Sequence, residues 1–120
     1  VTMDARSIHD GNLDHPEVRA ARHEKPDVPV LNLVYNQLSL TRLVLHPDLV
    51  SNGPYIEQWA ERTAERLAAG IDCVMMIHCP NNLHCPPLAR TFHERLRAQP
   101  GMETLPALPP WPVIGQQSLW

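Results

Sequence analysis

Residues able to do chemistry gather where the apolar runs of this chain stop. The clearest case is the largely apolar stretch Ile71 to Ile77, which ends at His78, Cys79, Pro80, Asn81 and Asn82, with His84, Cys85 and Pro86 just beyond. Asp4 and Arg6 follow the short β-prone start of the chain, Arg42 lies inside the run Leu40 to Leu45, and His46, Pro47 and Asp48 end that run. Guanidinium groups grip phosphate and carboxylate through paired N–H donors, and an imidazole serves as general acid or base near neutral pH. The same residues have structural uses. Asp4 with Arg6 or Arg42 can be a buried ion pair that holds a sheet end together, and Arg42 can lay its stem along the sheet edge. The two His-Cys doublets are ligand types that zinc accepts. Their spacing matches neither C-x-x-C nor H-x-x-x-H, however, and prolines constrain both, so no metal site is expected. Cys73, within the apolar run, reads as a small core residue.

Positioning these groups requires strands and helices in alternation. The run at 71–77 reads as a strand buried on both faces, as in a parallel sheet, with its polar C-terminal end where α/β proteins carry their sites. Before it come a short strand at the chain start, ended by Asp4, and a strand over Leu40 to Leu45. His9 to Asn12 has turn composition. Asp14, Pro16 and Glu17 have the spacing of a capping box, opening a polar helix to Glu24. The segment Val28 to Val34 is extended but carries Pro29, which makes it an edge or approach segment.

Asn52, Gly53 and Pro54 open the strongest helix, to about Ala69, stopped by Gly70. Ile56, Trp59, Ala60, Thr63 and Leu67 form its core-facing stripe, and Glu57, Glu61, Arg62, Glu65 and Arg66 read as a solvated face. Trp59 and Tyr55 read as packing residues. A second amphipathic helix, Pro86 to Ala98, carries Leu88, Phe92 and Leu96 on one side. Three βα units imply parallel strands with right-handed crossovers. Three units alone cannot close a barrel, and they leave sheet edges and apolar faces uncovered.

The composition bounds the rest. The chain has 120 residues, 43% of them hydrophobic, and a net charge of -3, which argues against direct nucleic-acid binding by this segment. Three cysteines with no disulfide-framework spacing fit a reducing cytoplasm. No apolar run approaches membrane-spanning length, so no membrane contact is expected. The start at Val1, without an initiator methionine and within a strand-like stretch, reads as the C-terminal portion of something longer.

The motifs together resemble a known family. Asp4-Ala5-Arg6 is similar to the Asp-Ser/Thr-Arg of the YecE-like proteins, a bacterial family with a TIM-type barrel and no assigned activity. The segment from Pro16 to Pro26 followed by Val28-Pro29-Val30, the strand arginine Arg42, Trp59, His78-Cys79-Pro80 and Cys85-Pro86 resemble it in order and spacing. After the strand arginine the family carries an aromatic-X-Gly or X-His-Gly ending, where this chain has Leu43, Val44 and Leu45. The resemblance implies an α/β fold in which residues 1–101 are the last three βα units of the barrel, an incomplete domain, and 102–120 a Pro-rich extended tail. In a barrel the C-terminal strand ends share one mouth. Asp4 and His78 are then the catalytic candidates, and Arg6, Arg42, His46, Asn81 and Asn82 the ligand-binding ones, around an anionic small molecule such as a phosphorylated compound or nucleotide. No cofactor is implied.

The tail raises a reading of a different class, an interaction protein. Gln116, Leu119 and Trp120 resemble the short peptide by which many bacterial replication and repair proteins dock on the DNA sliding clamp. Leu119 and Trp120 would fill an apolar pocket, and the Gln116 amide would meet backbone polar groups. The prolines of Leu105 to Val113 predict a disordered approach, with Trp111 as an anchor. Gln117 stands where leucine is common, and the competing reading is that Trp120 folds back onto the domain.

Overall fold

Apolar runs with period two, separated by stripes of period 3.6, produce a three-stranded parallel sheet carrying helices. The computed structural model describes residues 1–25, 27, 29–31, 34 and 36–110. The elements are β1 (Thr2–Asp4), α1 (Arg6–Asp10), α2 (Pro16–Glu24), β2 (Leu38–Val44), α3 (Gly53–Ala68), β3 (Asp72–His78) and α4 (Cys85–Arg97), with 3-10 turns at Leu49–Asn52 and Asn82–His84. The strand order is β1-β2-β3, all parallel, with Asp4 opposite Leu43 and Val44 opposite His78. The Trp111 anchor and the clamp-like Gln116, Leu119 and Trp120 lie outside the described residues.

One sheet face is covered by α3 and α4. Leu43, Leu45, Ile56, Trp59, Ala60, Leu88, Phe92 and Leu96 form the main core there, with Met75 and Ile77 of β3 packed against it. The stripes expected on α3 and α4 are the ones buried, Leu67 only in part. Gly70, at φ +81°, ends α3 in a left-handed conformation that suits glycine. Its N–H donates to the Leu67 carbonyl at 3.0 Å and that of Ile71 to Arg66 at 2.9 Å, the paired bonds of a Schellman stop.

The opposite face is only partly covered. Val18 and Ala21 of α2, with Ala5 and Ile8, pack on Val44 and Met3 at the C-terminal end of the strands. Below that point Leu38, Val74 and Met76 stand exposed. This corrects the expectation that 71–77 is buried on both faces: β3 alternates exposed and half-buried residues along Asp72–His78. Its composition suits cover on two sides, but among the described residues it is an edge strand with one face bare. The sheet is open, and no barrel closes among the described residues.

Smaller corrections follow from local chemistry. His9 and Asp10, read as the start of a turn to Asn12, instead end a short helix, Arg6–Asp10, which starts where the Asp4 carboxylate accepts the Arg6 backbone N–H at 3.0 Å. Asp14 does not cap α2. The cap residue is His15, without a side-chain bond, and the Asp14 N–H is taken by Asn12 Oδ1 at 2.8 Å. The described residues of 28–34 form no strand.

Arg66 is buried rather than solvated, with Nη1 donating to Ser39 Oγ at 2.6 Å and the guanidinium 5.4 Å from the Trp59 ring centroid. The first part of the tail is bound rather than loose. Arg97 Nε donates to the Leu105 carbonyl at 2.9 Å, His93 Nε2 lies 2.7 Å from that of Pro106, and Arg90 donates to that of Pro109.

Candidate functional site

The strand-end residues fall into three separate groups. The first centres on Asp4, which is 1% exposed and faces α3. Its Oδ2 accepts the Trp59 indole N–H at 2.7 Å and Arg6 Nη2 at 2.7 Å, while Oδ1 accepts Arg6 Nε and the Arg6 backbone N–H, both at 3.0 Å. Arg6 also donates to Gln58 Oε1 at 2.5 Å and lies 5.1 Å from the Tyr55 ring centroid. Burial alone would push the Asp4 carboxyl up. The hydrogen bonds from the Arg6 side chain and Trp59 outweigh it and hold the group below its ordinary 3.8. Both oxygens are taken by protein donors. This geometry is that of a clamp fastening α3 to the end of β1.

The second group surrounds His46, which is fully buried. Nδ1 accepts the Asp48 N–H at 2.8 Å, which leaves Nε2 to carry the proton and donate to the Asn12 carbonyl 2.9 Å away. Asn52 brackets the same residue, accepting its backbone N–H at 2.7 Å and donating to its carbonyl at 2.8 Å, and also accepts the Ser7 hydroxyl at 2.6 Å. A Cβ at Gly11 would stand 2.4 Å from His46 Cδ2, so only glycine lets this loop close over the ring. Nδ1 braces the β2–α3 connection on itself, and Nε2 ties that connection to the α1–α2 loop.

The third group lines a pocket. Arg42, His78 and Asn82 converge with Lys25, Glu17 and Glu24 around a cavity of about 370 Å³ between α2 and the C-terminal ends of β2 and β3. The register explains part of this. Val44 pairs with His78, so Arg42 and His78 are diagonal neighbours on the face away from α3 and α4. Asn81 is outside the lining and supports it indirectly: its Oδ1 accepts the Leu83 N–H at 3.2 Å and shapes the turn that carries Asn82. Sequence reasoning missed Lys25, whose only signal was its place at the helix end. Its side chain is 13% exposed and its Nζ is 3.9 Å from Glu24 Oε2. Burial, then Lys25, then Arg42 push the His78 imidazole below its ordinary 6.5.

This pocket holds two cations beside an imidazole whose protonation they disfavour. An anion entering it would meet donors from Arg42 and Lys25, and would itself favour the protonated imidazole. Glu17 and Glu24 stand on the α2 side and limit the net positive charge. Of the two cysteines that follow β3, Cys85 rests its Sγ on the main chain of Cys79, accepting the Cys79 N–H at 3.3 Å.

No family model and no solved structure matches this chain. It is 28% identical over 118 residues to the UPF0759 protein YecE of Escherichia coli K12, and equally to that of Escherichia coli O157:H7. The match covers 98% of this chain but 41% of each relative, so the chain spans about two fifths of their length. The resemblance read from the motifs therefore holds: over nearly its whole length this chain is similar to the YecE-like proteins.

Proposed function

We propose that this chain is the last three βα units of a TIM-type barrel and that the pocket of Arg42, Lys25, His78 and Asn82 takes the anionic group of a small molecule, phosphate or carboxylate, at the barrel mouth. Two features favour the barrel. Among the described residues both sheet edges are unpaired parallel strands, and the bare face carries Leu38, Val74 and Met76, residues that a parallel sheet normally covers. The greater length of the similar proteins leaves ample chain to supply the missing strands.

The observation that carries the site is the meeting of Arg42, exposed and without an ion pair among the described residues, with Lys25 beside His78. Arg42 and Lys25 bind and orient the anion, Asn82 adds a neutral amide, and His78 gives or takes a proton at the bound group. In this reading Asp4 and Arg6 hold the mouth in shape from behind it. The test is calorimetric titration of inorganic phosphate, and of acetate as a carboxylate, into the whole product of the gene, beside Arg42→Gln and Lys25→Gln. Each substitution should weaken binding at least about tenfold, or about 1.4 kcal/mol, with an unchanged circular dichroism spectrum. No binding of either anion at millimolar concentration, or equal binding by all three proteins, overturns the assignment.

A further inference from the structure

The chain repeats His-Cys-Pro six residues apart, at His78-Cys79-Pro80 and His84-Cys85-Pro86. The anion pocket uses only the first histidine. We infer that Cys79 and Cys85 are a thiol pair that closes to a disulfide when a small disulfide such as oxidised glutathione is offered. This inference is independent of the anion site.

The fold brings the two residues together. Cys79 is the first residue after β3 and Cys85 the first residue of α4, with a 3-10 turn folding the intervening chain back on itself. Cys85 Sγ accepts the Cys79 N–H at 3.3 Å and lies 3.8 Å from the Cys79 carbonyl, so the sulfur rests directly on its partner's backbone. Both side chains belong to the same core cluster. A disulfide needs Cα atoms within about 4.4–6.8 Å of each other, and a sulfur 3.3 Å from the other residue's main-chain nitrogen is compatible with that separation. Cys73 is the poor alternative. It lies six positions before Cys79 along β3, about 20 Å at the strand rise of about 3.3 Å per residue.

Exposure sets the order of events. Cys79 is fully buried, and burial pushes its thiol up. Cys85 is partly exposed and is the first residue of α4, within reach of solvent. Cys85 therefore meets the reagent first. It loses its proton to solvent, its sulfur attacks one sulfur of the glutathione disulfide, and one glutathione thiolate leaves. Cys79 then loses its proton and attacks Cys85 Sγ, forming the Cys79–Cys85 bond and expelling the second glutathione. Two protein thiols are oxidised and one glutathione disulfide is reduced to two thiols, with no other reactant.

The test treats the whole product of the gene with oxidised glutathione, alkylates the remaining thiols and locates them by peptide mass spectrometry. The expected result is joint loss of two of the three thiols. The peptide carrying residues 79 and 85 should lose two hydrogens and keep no glutathione, Cys73 should be alkylated, and dithiothreitol should restore both thiols. In Cys79→Ser the same treatment should leave glutathione stably attached at Cys85, and in Cys85→Ser the Cys79 thiol should stay unmodified. The inference fails if both thiols survive, if the unsubstituted protein retains glutathione on Cys85, or if the link involves Cys73.

Discussion

Replacing Trp59 with phenylalanine tests how α3 is fastened to the end of β1. The indole N–H is 2.7 Å from Asp4 Oδ2, and the two residues are 0% and 1% exposed. Phenylalanine keeps most of the ring's burial and removes the donor. A hydrogen bond to a charged group contributes about 1.5–3 kcal/mol, and no water replaces a donor lost at a buried site. The ring face also carries Arg62 at 4.9 Å and Arg66 at 5.4 Å, and the weaker quadrupole of phenylalanine forfeits about 0.5 kcal/mol more. The expected loss is therefore about 2–3.5 kcal/mol of folding stability, a large part of what holds a domain folded.

Urea unfolding followed by circular dichroism measures this loss in the whole gene product, and the Asp4→Asn variant completes a double-mutant cycle. The cycle should return a coupling of at least about 1 kcal/mol. Tyr55→Phe, which removes an exposed hydroxyl bonded to Asp10 at 2.8 Å, should cost less than about 1 kcal/mol. A Trp59→Phe protein within about 0.5 kcal/mol of the parent, or a cycle without coupling, would refute the clamp.

Three further outcomes are expected. The folded Asp4 carboxyl is held below its ordinary 3.8, so its stabilisation is complete above that pH and is lost as the pH falls through the folded value. Asp4→Asn should remove this part of the acid sensitivity from urea midpoints measured across pH. Arg66→Ala should cost about 1–2 kcal/mol through the Ser39 bond and the Trp59 face, whereas Glu61→Ala on the exposed side of α3 should stay within about 0.5 kcal/mol, both by chemical denaturation. Met76→Lys on the bare face should cost more than about 2 kcal/mol in the whole gene product if further strands cover that face, as the barrel requires; a cost under about 0.5 kcal/mol would show that Met76 meets water.

The parts of the fold governed by local periodicity were readable in the chain. Ile56, Trp59, Ala60 and Thr63 on α3, and Leu88, Phe92 and Leu96 on α4, are buried as their spacing predicts. The alternation of strands and helices likewise gave parallel pairing. What escaped depends on contacts distant in sequence. Arg66 sits on the charged side of α3 by spacing, yet its guanidinium reaches Ser39 on a separate strand. Asp14 has the spacing of a cap, but Asn12 competes for the same turn. His46 looked available at a strand end until Asn52 and Asn12 closed around it. Lys25 carried no signal beyond its position after Glu24, and only the placement of α2 over β2 and β3 brings it to His78. The apolar composition of β3 describes a strand with both faces covered, whereas the described residues cover one.

The anion site stands or falls on the behaviour of His78. Its folded-state value is depressed below 6.5 by burial, Lys25 and Arg42, so its neutral form favours the fold at higher pH, and that contribution is lost as the pH falls through the folded value. An anion seated between Arg42 and Lys25, as proposed, would offset the positive charge that disfavours the protonated imidazole. Following the His78 ring resonances by NMR across pH, with and without inorganic phosphate, measures this directly in the whole gene product. The account predicts that phosphate moves the His78 titration upward, that Arg42→Gln abolishes the movement, and that phosphate affinity rises as the pH falls through that titration. A His78 titration that phosphate leaves in place at millimolar concentration, or a movement that survives Arg42→Gln, would contradict it.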